Sequence, residues 1–183
     1  MENKQIVEWN MYEMEYTGGR VESSFSLVPF EEKYYEQYVN LMDDCYYEMR
    51  KALNIRPYEK HSYSLDKPME LKKNTFILPG DNDEIIGAVT ISETYIGTVA
   101  VGKKYQQQGY GRKLTQFAIS YIQNCGDKTA KLAVAKWNKN AIALYKSLGF
   151  VITKESTVEG VNTKSKDGSW SFEFTETKGL DIQ

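Results

Sequence analysis

The feature that most constrains this fold is a glycine-rich segment placed between a strand-like stretch and an amphipathic helix. Residues 95–101 are rich in β-branched side chains and stop at Gly102, which predicts a strand. The glycine-rich residues 106–111 follow directly. A helix begins there, because apolar residues recur at the i, i+3, i+4, i+7, i+8 positions Leu114, Phe117, Ala118, Tyr121 and Ile122. This order predicts an α/β unit with a tight strand-to-helix turn.

A second strand and a second helix extend the unit. Residues 131–135 predict a strand, and Asn138 is a favoured N-cap for the helix that follows. Gly149 is the predicted end of that helix. Its apolar face contains Ala141, Leu144, Tyr145 and Leu148.

The remaining residues predict a mixture of strands and helices. Residues 6–28 alternate like strands, with Thr17-Gly18-Gly19-Arg20 as a hairpin turn. A helix is predicted from Glu31 onward, with the apolar stripe Tyr34, Tyr38, Leu41, Met42, Cys45 and Met49. We also predict a short helix at 68–73 and strands at 75–78, 84–91, 150–157 and 171–177. Without repeats or a linker-like stretch, residues 1–183 are expected to form a single domain.

Composition excludes several classes of protein. The 183 residues include 23 basic and 25 acidic side chains, so a broad basic surface for nucleic acid is not expected. Apolar runs stay far below the ~18 residues of a membrane span, and the first residues do not resemble a signal peptide. We therefore expect no membrane partner and a cytoplasmic, reducing location. Cys45, Cys125 and His61 are too few to complete a zinc site, so no metal is expected.

The turn at 106–111 has the chemistry of an anion site. The first amides of a helix lack internal acceptors and lie at the positive end of its dipole, where they bind phosphate groups. Arg112 and Lys113 add positive charge in that turn, which the dipole disfavours unless an anion is bound. The glycine spacing fits neither the nucleoside-triphosphate loop nor the dinucleotide fingerprint.

Two stretches resemble signatures of the GNAT acetyltransferase superfamily. Gln106-Gln107-Gln108-Gly109-Tyr110-Gly111 matches the pattern Q/R-x-x-G-x-G/A. Residues 138–150 resemble the pattern N-x-x-A-x-x-L-Y-x-x-x-G-F. The resemblance covers residues 75–157 as an acetyl-CoA-binding core, and residues 1–70 fit in outline as the N-terminal, acceptor-side part. It implies a single GNAT-like α/β domain: a mixed, mostly antiparallel sheet, splayed near its middle, with helices on both faces.

The resemblance also implies roles for individual residues toward the co-substrate acetyl-CoA. Tyr145 would lie near the thioester sulfur and protonate the leaving thiolate, and Asn138 would contact the cofactor arm while capping its helix. The other expected cofactor-binding residues are Val99, Ala100 and Val101 for the pantetheine arm and Gln106, Gln108, Gly109, Tyr110, Gly111 and Arg112 for the pyrophosphate. Plain structural alternatives stay open: a tight turn at the glycines, a cap at Asn138 and a core tyrosine at Tyr145.

The general base is less defined. Many relatives have a glutamate at the start of the strand before the loop, where this chain has Tyr95. Glu93 lies two residues earlier on the same face and would act directly or through water. Its alternative is a solvated hairpin charge. On the acceptor side, Asp43, Asp44 and Glu48 suit a cationic amine or merely form a solvated helix face.

These inferences predict transfer of an acetyl group from acetyl-CoA to a primary amine of a small molecule, by direct attack in a ternary complex. A protein N-terminus or lysine is the alternative acceptor. A non-catalytic CoA-binding regulatory module is the alternative of another class. The predicted N-terminal hairpin would also support a homodimer.

Overall fold

The computed structural model describes residues 3–59, 68–126 and 128–181, and these form one eight-stranded sheet and four α-helices. The N-terminal part contains β1 (Asn3–Tyr16), β2 (Val28–Pro29), α1 (Tyr35–Ala52) and α2 (Pro68–Asn74). The central part contains β3 (Thr75–Pro79), β4 (Ile85–Ser92), β5 (Tyr95–Val101), α3 (Tyr110–Asn124), β6 (Lys131–Ala135) and α4 (Lys139–Leu148). The chain then forms β7 (Phe150–Lys164) and β8 (Trp170–Asp181). His61 lies outside the described residues.

The sheet has the order β2-β3-β4-β5-β6-β1-β7-β8, and its strand pairs are antiparallel except for β5 and β6. This confirms the predicted mixed, mostly antiparallel sheet. The parallel pair covers only Tyr95 with Lys131 and Ile96 with Leu132, after which the two strands separate. A gap therefore opens between β5 and β6 in the middle of the sheet, as the resemblance implied.

Helices cover both faces of the sheet, as predicted. Successive strand residues point to opposite faces, so Val89 packs in one apolar cluster and Ala88 in another. The cluster of Val89 contains the buried faces of α3 and α4, including Leu114 and Tyr145. The cluster of Ala88 contains the α1 stripe, whose Tyr38, Leu41 and Met42 are buried.

The predicted N-terminal hairpin is wrong. Residues 17–27 form no strand, and β1 pairs instead with β6 and, over most of its length, with β7. The Thr17 N–H donates to the carbonyl of Gly149, and Arg20 donates to Asn124 at the end of α3. Residues 17–20 lead the chain away from β1 instead of back along it. A hairpin cannot form there, because β6 and β7 already pair with the two edges of β1. The suggested support for a homodimer thereby loses its basis.

The other elements agree closely with the prediction. β5 and β6 have the predicted bounds, and α4 is capped by Asn138 and Gly149 as expected. β7 and β8 are longer than predicted, because they form one extended hairpin that continues to Lys164 and from Trp170. Among the described helices, none is long and apolar enough to cross a membrane.

Candidate active site

The gap between β5 and β6 is lined by backbone groups of β5. The Thr98 N–H donates to Thr90 Oγ1 at 2.8 Å and the Gly102 N–H donates to the Ile86 carbonyl at 2.9 Å, both on the β4 side. Because neighbouring strand residues direct their backbone groups to opposite edges, the N–H groups of Val99 and Val101 point into the gap.

Ala100 is a correction to the prediction. It is aligned with Ala88 of β4, so its backbone groups point away from the gap, and its side chain is buried against α1. Of the three predicted residues on this strand, Val99 and Val101 can therefore pair with a bound arm, and Ala100 can only support them.

A β-bulge directs β5 away from β6. The register between β4 and β5 shifts so that Gly97 and Thr98 both stand opposite Thr90. A Cβ atom at Gly97 would lie 2.7 Å from Thr90 Oγ1, so glycine is required where the threonine hydroxyl approaches the backbone. The bulge follows Ile96, the last residue that β5 aligns with β6, and it therefore explains where the gap begins.

The predicted anion site lies at the start of α3. Gly109 is the N-cap residue with φ +85°, and no side chain caps the helix end. Apart from the neighbours of Gly109 in the chain, none of the described residues lies within 4 Å of the position that a Cβ atom would take there. Glycine is therefore needed for the backbone conformation and leaves the approach open. The first turn contains Arg112 and Lys113 and no acidic residue. This arrangement suits a phosphate or pyrophosphate group.

Gly111 has a different role from Gly109. A Cβ atom at Gly111 would lie 3.3 Å from Leu144 Cδ2, so this glycine allows α3 and α4 to pack closely. The close packing brings the start of α3 next to the helix that contains Tyr145. Arg112 reinforces the contact, because its Nη2 donates to Ser147 Oγ of α4 at 2.6 Å.

Side chains of the loop brace its backbone. Gln106 Nε2 donates to the Val101 carbonyl at 3.1 Å, and Gln108 Nε2 donates to the Lys104 carbonyl at 2.8 Å. Tyr110 packs edge-on against Tyr105, with 6.0 Å between ring centroids. The loop is thus shaped by its own residues, and it can offer backbone amides to a ligand without rearranging.

Asn138 is a helix cap. Its Oδ1 accepts a hydrogen bond from the Ala141 N–H at 3.1 Å, as its residue type predicts. The side-chain oxygen is therefore occupied, while Nδ2 makes no hydrogen bond within the described residues. A ligand role for Asn138 would use this amide nitrogen as a donor.

Tyr145 is buried in α4 and packs against Phe150, with ring centroids 5.8 Å apart. Its hydroxyl makes no hydrogen bond within the described part of the chain. Burial raises the pKa of this phenol to about 12, and the nearby Tyr46 phenol contributes to the increase. The hydroxyl therefore keeps its proton at neutral pH and can donate it or a hydrogen bond.

Tyr46 and Thr98 are functional candidates that the sequence reading missed. The Tyr46 hydroxyl and Thr98 Oγ1 lie 3.1 Å apart, so α1 is joined to the bulge of β5. Tyr46 and Tyr145 thus approach the gap from opposite faces of the sheet. Helical spacing from Met42 to Met49 could have identified Tyr46, whereas the position of Thr98 depends on the bulge.

The structure does not bring Glu93 together with these residues. Glu93 is exposed in the tight turn between β4 and β5, with φ +54°. The turn lies at the paired end of β5 and β6, whereas the gap opens beyond Ile96. This position favours the alternative of a solvated hairpin charge.

The predicted acidic face of α1 is largely neutralised. Asp43 lies 3.5 Å from Arg50 Nη1, and Asp44 lies 3.0 Å from Lys103 Nζ. Glu48 is exposed. Within the described residues there is no group of three or more His, Cys, Asp or Glu side chains that could hold a metal ion.

Comparisons with known proteins agree with this geometry. Residues 35–150 match the model of the acetyltransferase (GNAT) family. The ribosomal protein bS18 alanine N-acetyltransferase of Escherichia coli strain K12 is 37% identical over 83 residues, which are 45% of this chain. That match spans about half of the relative, 54% of its length. N-alpha-acetyltransferase 30 of Schizosaccharomyces pombe is 31% identical over 134 residues, 68% of this chain and 83% of that protein.

A solved structure shows the same fold. The acetyltransferase from the GNAT family of Colwellia psychrerythraea has a TM-score of 0.60 at 12% identity, with 94% of this chain and 57% of that chain covered. The family match extends from α1 to the start of β7, so it includes the bulge, the glycine loop and Tyr145. The chain therefore belongs to the GNAT acetyltransferase family.

Proposed function

We propose that the protein transfers an acetyl group from acetyl-CoA to a primary amine of a small molecule. One observation carries the proposal: a gap bordered by the Val99 and Val101 amides lies between an uncapped, cationic helix start and a buried tyrosine without a hydrogen-bond partner in the described chain. These three features would supply an anion site, a channel for an extended arm and a proton donor.

The co-substrate would bind through backbone groups. The pyrophosphate accepts from the first amides of α3, at Tyr110, Gly111 and Arg112, and the dipole and the two cations favour it. The pantetheine arm pairs with the Val99 carbonyl and the Val101 N–H as an added strand would, which leaves the Val99 N–H for the thioester. The Asn138 Nδ2 donates to a carbonyl of the arm.

In the reaction, the neutral amine attacks the thioester carbonyl, the new C–N bond forms and the C–S bond breaks. The Val99 N–H donates to the carbonyl oxygen as negative charge develops. The Tyr145 hydroxyl gives a proton to the leaving thiolate. The attacking nitrogen releases its extra proton to water, and the Tyr145 hydroxyl recovers a proton from water. Burial, which raises the pKa of this phenol, would act in the same direction on a thiol bound beside it.

The amine must lose a proton to become a nucleophile. Because Glu93 lies at the far end of β5, we assign this proton to water or to ionisation of the amine before it binds. The rate should then rise with pH toward the pKa of the amine itself. No covalent intermediate on the enzyme is needed.

A protein acceptor is the second candidate. It is favoured by the relatives, since one is a ribosomal protein alanine N-acetyltransferase and another is an N-alpha-acetyltransferase. The alternative of another class, a CoA-binding regulatory module, predicts binding without turnover.

A single experiment separates these functions. Acetyl-CoA affinity is measured by calorimetry, and release of free thiol is then followed with a panel of small amines, amino acids and peptides, with products identified by mass spectrometry. The proposal predicts binding and acetylation of small amines. Acetylation of peptides alone would replace it with the second candidate, and binding without any product would identify the module. Absence of binding would contradict all three.

A further inference from the structure

A cavity of about 740 Å³ lies beside the candidate active site. It is bordered by α1, the segment that follows α1, β1 and β8. Its lining includes Tyr46 and Thr98, which join α1 to the bulge of β5. The inner end of the cavity therefore adjoins the gap where the thioester would lie. A cavity of this size is within the range of small-molecule sites.

The described lining is aromatic and positively charged. Aromatic rings come from distant parts of the chain, namely Trp9, Tyr38, Tyr46, Trp170, Phe172 and Phe174. Arg50 and Arg56 supply two positive charges, and the described lining contains no carboxylate. This composition fits a ligand that has an apolar body and one anionic group.

The two arginines differ in their partners. Arg50 Nη1 lies 3.5 Å from Asp43 Oδ1 and donates to the Tyr58 carbonyl, so its charge is balanced within the protein. The Arg56 guanidinium carbon lies over two aromatic rings, 4.7 Å from the Tyr58 centroid and 4.9 Å from the Trp170 centroid. No carboxylate of the described residues pairs with Arg56, and its Nε is buried without a hydrogen-bond partner there.

The buried Arg56 Nε–H lowers the stability of the free protein, and a ligand that accepts its hydrogen bond would remove this penalty. A buried donor without an acceptor destabilises the state that contains it. A guanidinium that contacts aromatic rings through its faces keeps the N–H groups of its edge for an acceptor in the same plane. A carboxylate matches that planar edge with two parallel hydrogen bonds.

The segment that carries Arg56 is fixed in place. Asn162 of β7 is fully buried, and its Oδ1 accepts from the Arg56 backbone N–H at 2.8 Å. Its Nδ2 donates to the Asn54 carbonyl at 2.7 Å. The Arg56 guanidinium is therefore held on a backbone that is tied to the sheet, which reduces the ordering cost of binding.

We infer that the cavity binds the amine acceptor and that this acceptor is an amino acid-like molecule with an aromatic or large apolar body and a carboxylate that Arg56 binds. The identification of this ligand as the acceptor rests on the proposed function. The binding of such a molecule to the cavity can be measured without any reaction.

The binding test uses two ligands that differ in one group. Tryptophan fluorescence is followed as 3-phenylpropionate or the neutral 3-phenylpropionamide is added, since Trp9 and Trp170 line the cavity. The acid should bind about 10–100-fold more tightly than the amide. Arg56→Gln should remove that difference. Lys164→Gln is the matched control, because Lys164 contacts the Trp170 ring at 5.7 Å but does not line the cavity.

The acid and the amide are compared on the unaltered protein, so the test does not depend on how well a variant folds. Equal binding of acid and amide, failure of both to bind at millimolar concentration, or a preference that survives in a folded Arg56→Gln protein would each overturn the inference.

A turnover test separates this inference from the proposed function. Phenylalanine and phenylalaninamide are compared as acceptors, with rates corrected for the fraction of neutral amine. We expect kcat/KM to favour phenylalanine about tenfold or more, and Arg56→Gln to abolish the preference. Acetylation of both without preference would contradict the inference and leave the function intact. Selective binding of the acid with no acetylation of any amine would contradict the function and leave the binding site intact.

Discussion

The proposed cofactor side and the proposed acceptor side of this protein are built over very different distances along the chain. On the cofactor side, from β5 to α4, Gln106 and Gln108 bond to carbonyls five and four residues earlier. On the acceptor side, Arg56 bonds to Asn162, 106 residues away, and Trp9 packs against Phe172. One side is shaped by neighbours in sequence and the other by assembly of the whole sheet.

This difference separates the two halves of the proposed reaction. Because the loop is held by hydrogen bonds to nearby residues, its proposed anion site should not depend on the distant strands. A cavity assembled from β1, α1, β7 and β8 can change its lining without disturbing that loop. Substitutions on one side should therefore alter the binding of one substrate and leave the binding of the other nearly unchanged.

The largest effect is expected where the two sides meet, at Tyr145. Tyr145→Phe keeps the buried ring and removes the proton donor, so kcat should fall by about 10²–10⁴. Acetyl-CoA affinity should stay nearly unchanged. Steady-state kinetics and calorimetry check both statements. A phenylalanine variant that acetylates amines at the original rate would make Tyr145 a core residue only.

Damage to the cofactor side is best tested at Gly109. Valine at φ +85° is strained and its side chain would fill the open approach to the helix start, so acetyl-CoA affinity should fall about 100-fold. Gly168→Val is the matched control, because Gly168 has φ +89° and equally open surroundings in the β7–β8 hairpin. The control should lose comparable stability and bind acetyl-CoA normally. Equal affinity for both variants would make Gly109 a turn residue alone.

Damage to the acceptor side is best tested at Asn162. Asn162→Ala leaves the Arg56 N–H and the Asn54 carbonyl without their partner, so unfolding free energy should fall by about 1–3 kcal/mol. The KM for the amine should rise about tenfold while acetyl-CoA affinity is kept. Urea denaturation and kinetics measure these quantities. A change in acetyl-CoA affinity as large as the change in KM would break the proposed independence of the two sides.

The pKa of Tyr145 predicts a pH effect on stability. The folded pKa of about 12 exceeds the ordinary tyrosine pKa of 10.0, so the unfolded phenol ionises first as the pH rises. The native state therefore loses stability between these values, and at about pH 11 the loss is about 1 kcal/mol. Tyr145→Phe should lack this contribution. Denaturation of both proteins at about pH 9 and pH 11 gives the difference, and parallel losses would contradict the assigned pKa.

The smallest effect is expected at Glu93. Since this side chain is exposed at the paired end of β5, Glu93→Gln should change kcat/KM by less than about twofold at neutral and acidic pH. A fall of about 100-fold with loss of the acidic limb of the pH–rate profile would restore Glu93 as the general base.

The same contrast explains what the sequence could predict. The bounds of β5, the capping of α4 by Asn138 and the conformation of Gly109 depend on a few adjacent residues, and each was predictable. The partner of β1 was not, because the alternating pattern that identifies a strand says nothing about which edge it joins. Arg56 has no local pattern at all. Its contact with the Trp170 ring forms only when the folded sheet brings β8 next to the segment that follows α1.

The central claim is that acetyl-CoA binds along the gap of β5 with its pyrophosphate at the start of α3. Hydrogen exchange of backbone amides with and without acetyl-CoA tests it most directly, because the Val99 and Val101 amides and the first three amides of α3 have no partner within regular structure. We predict that acetyl-CoA slows exchange at Val99, Val101, Tyr110, Gly111 and Arg112 and leaves Arg56 unaffected. Unchanged exchange at these five amides, or protection confined to the cavity around Arg56, would contradict the account.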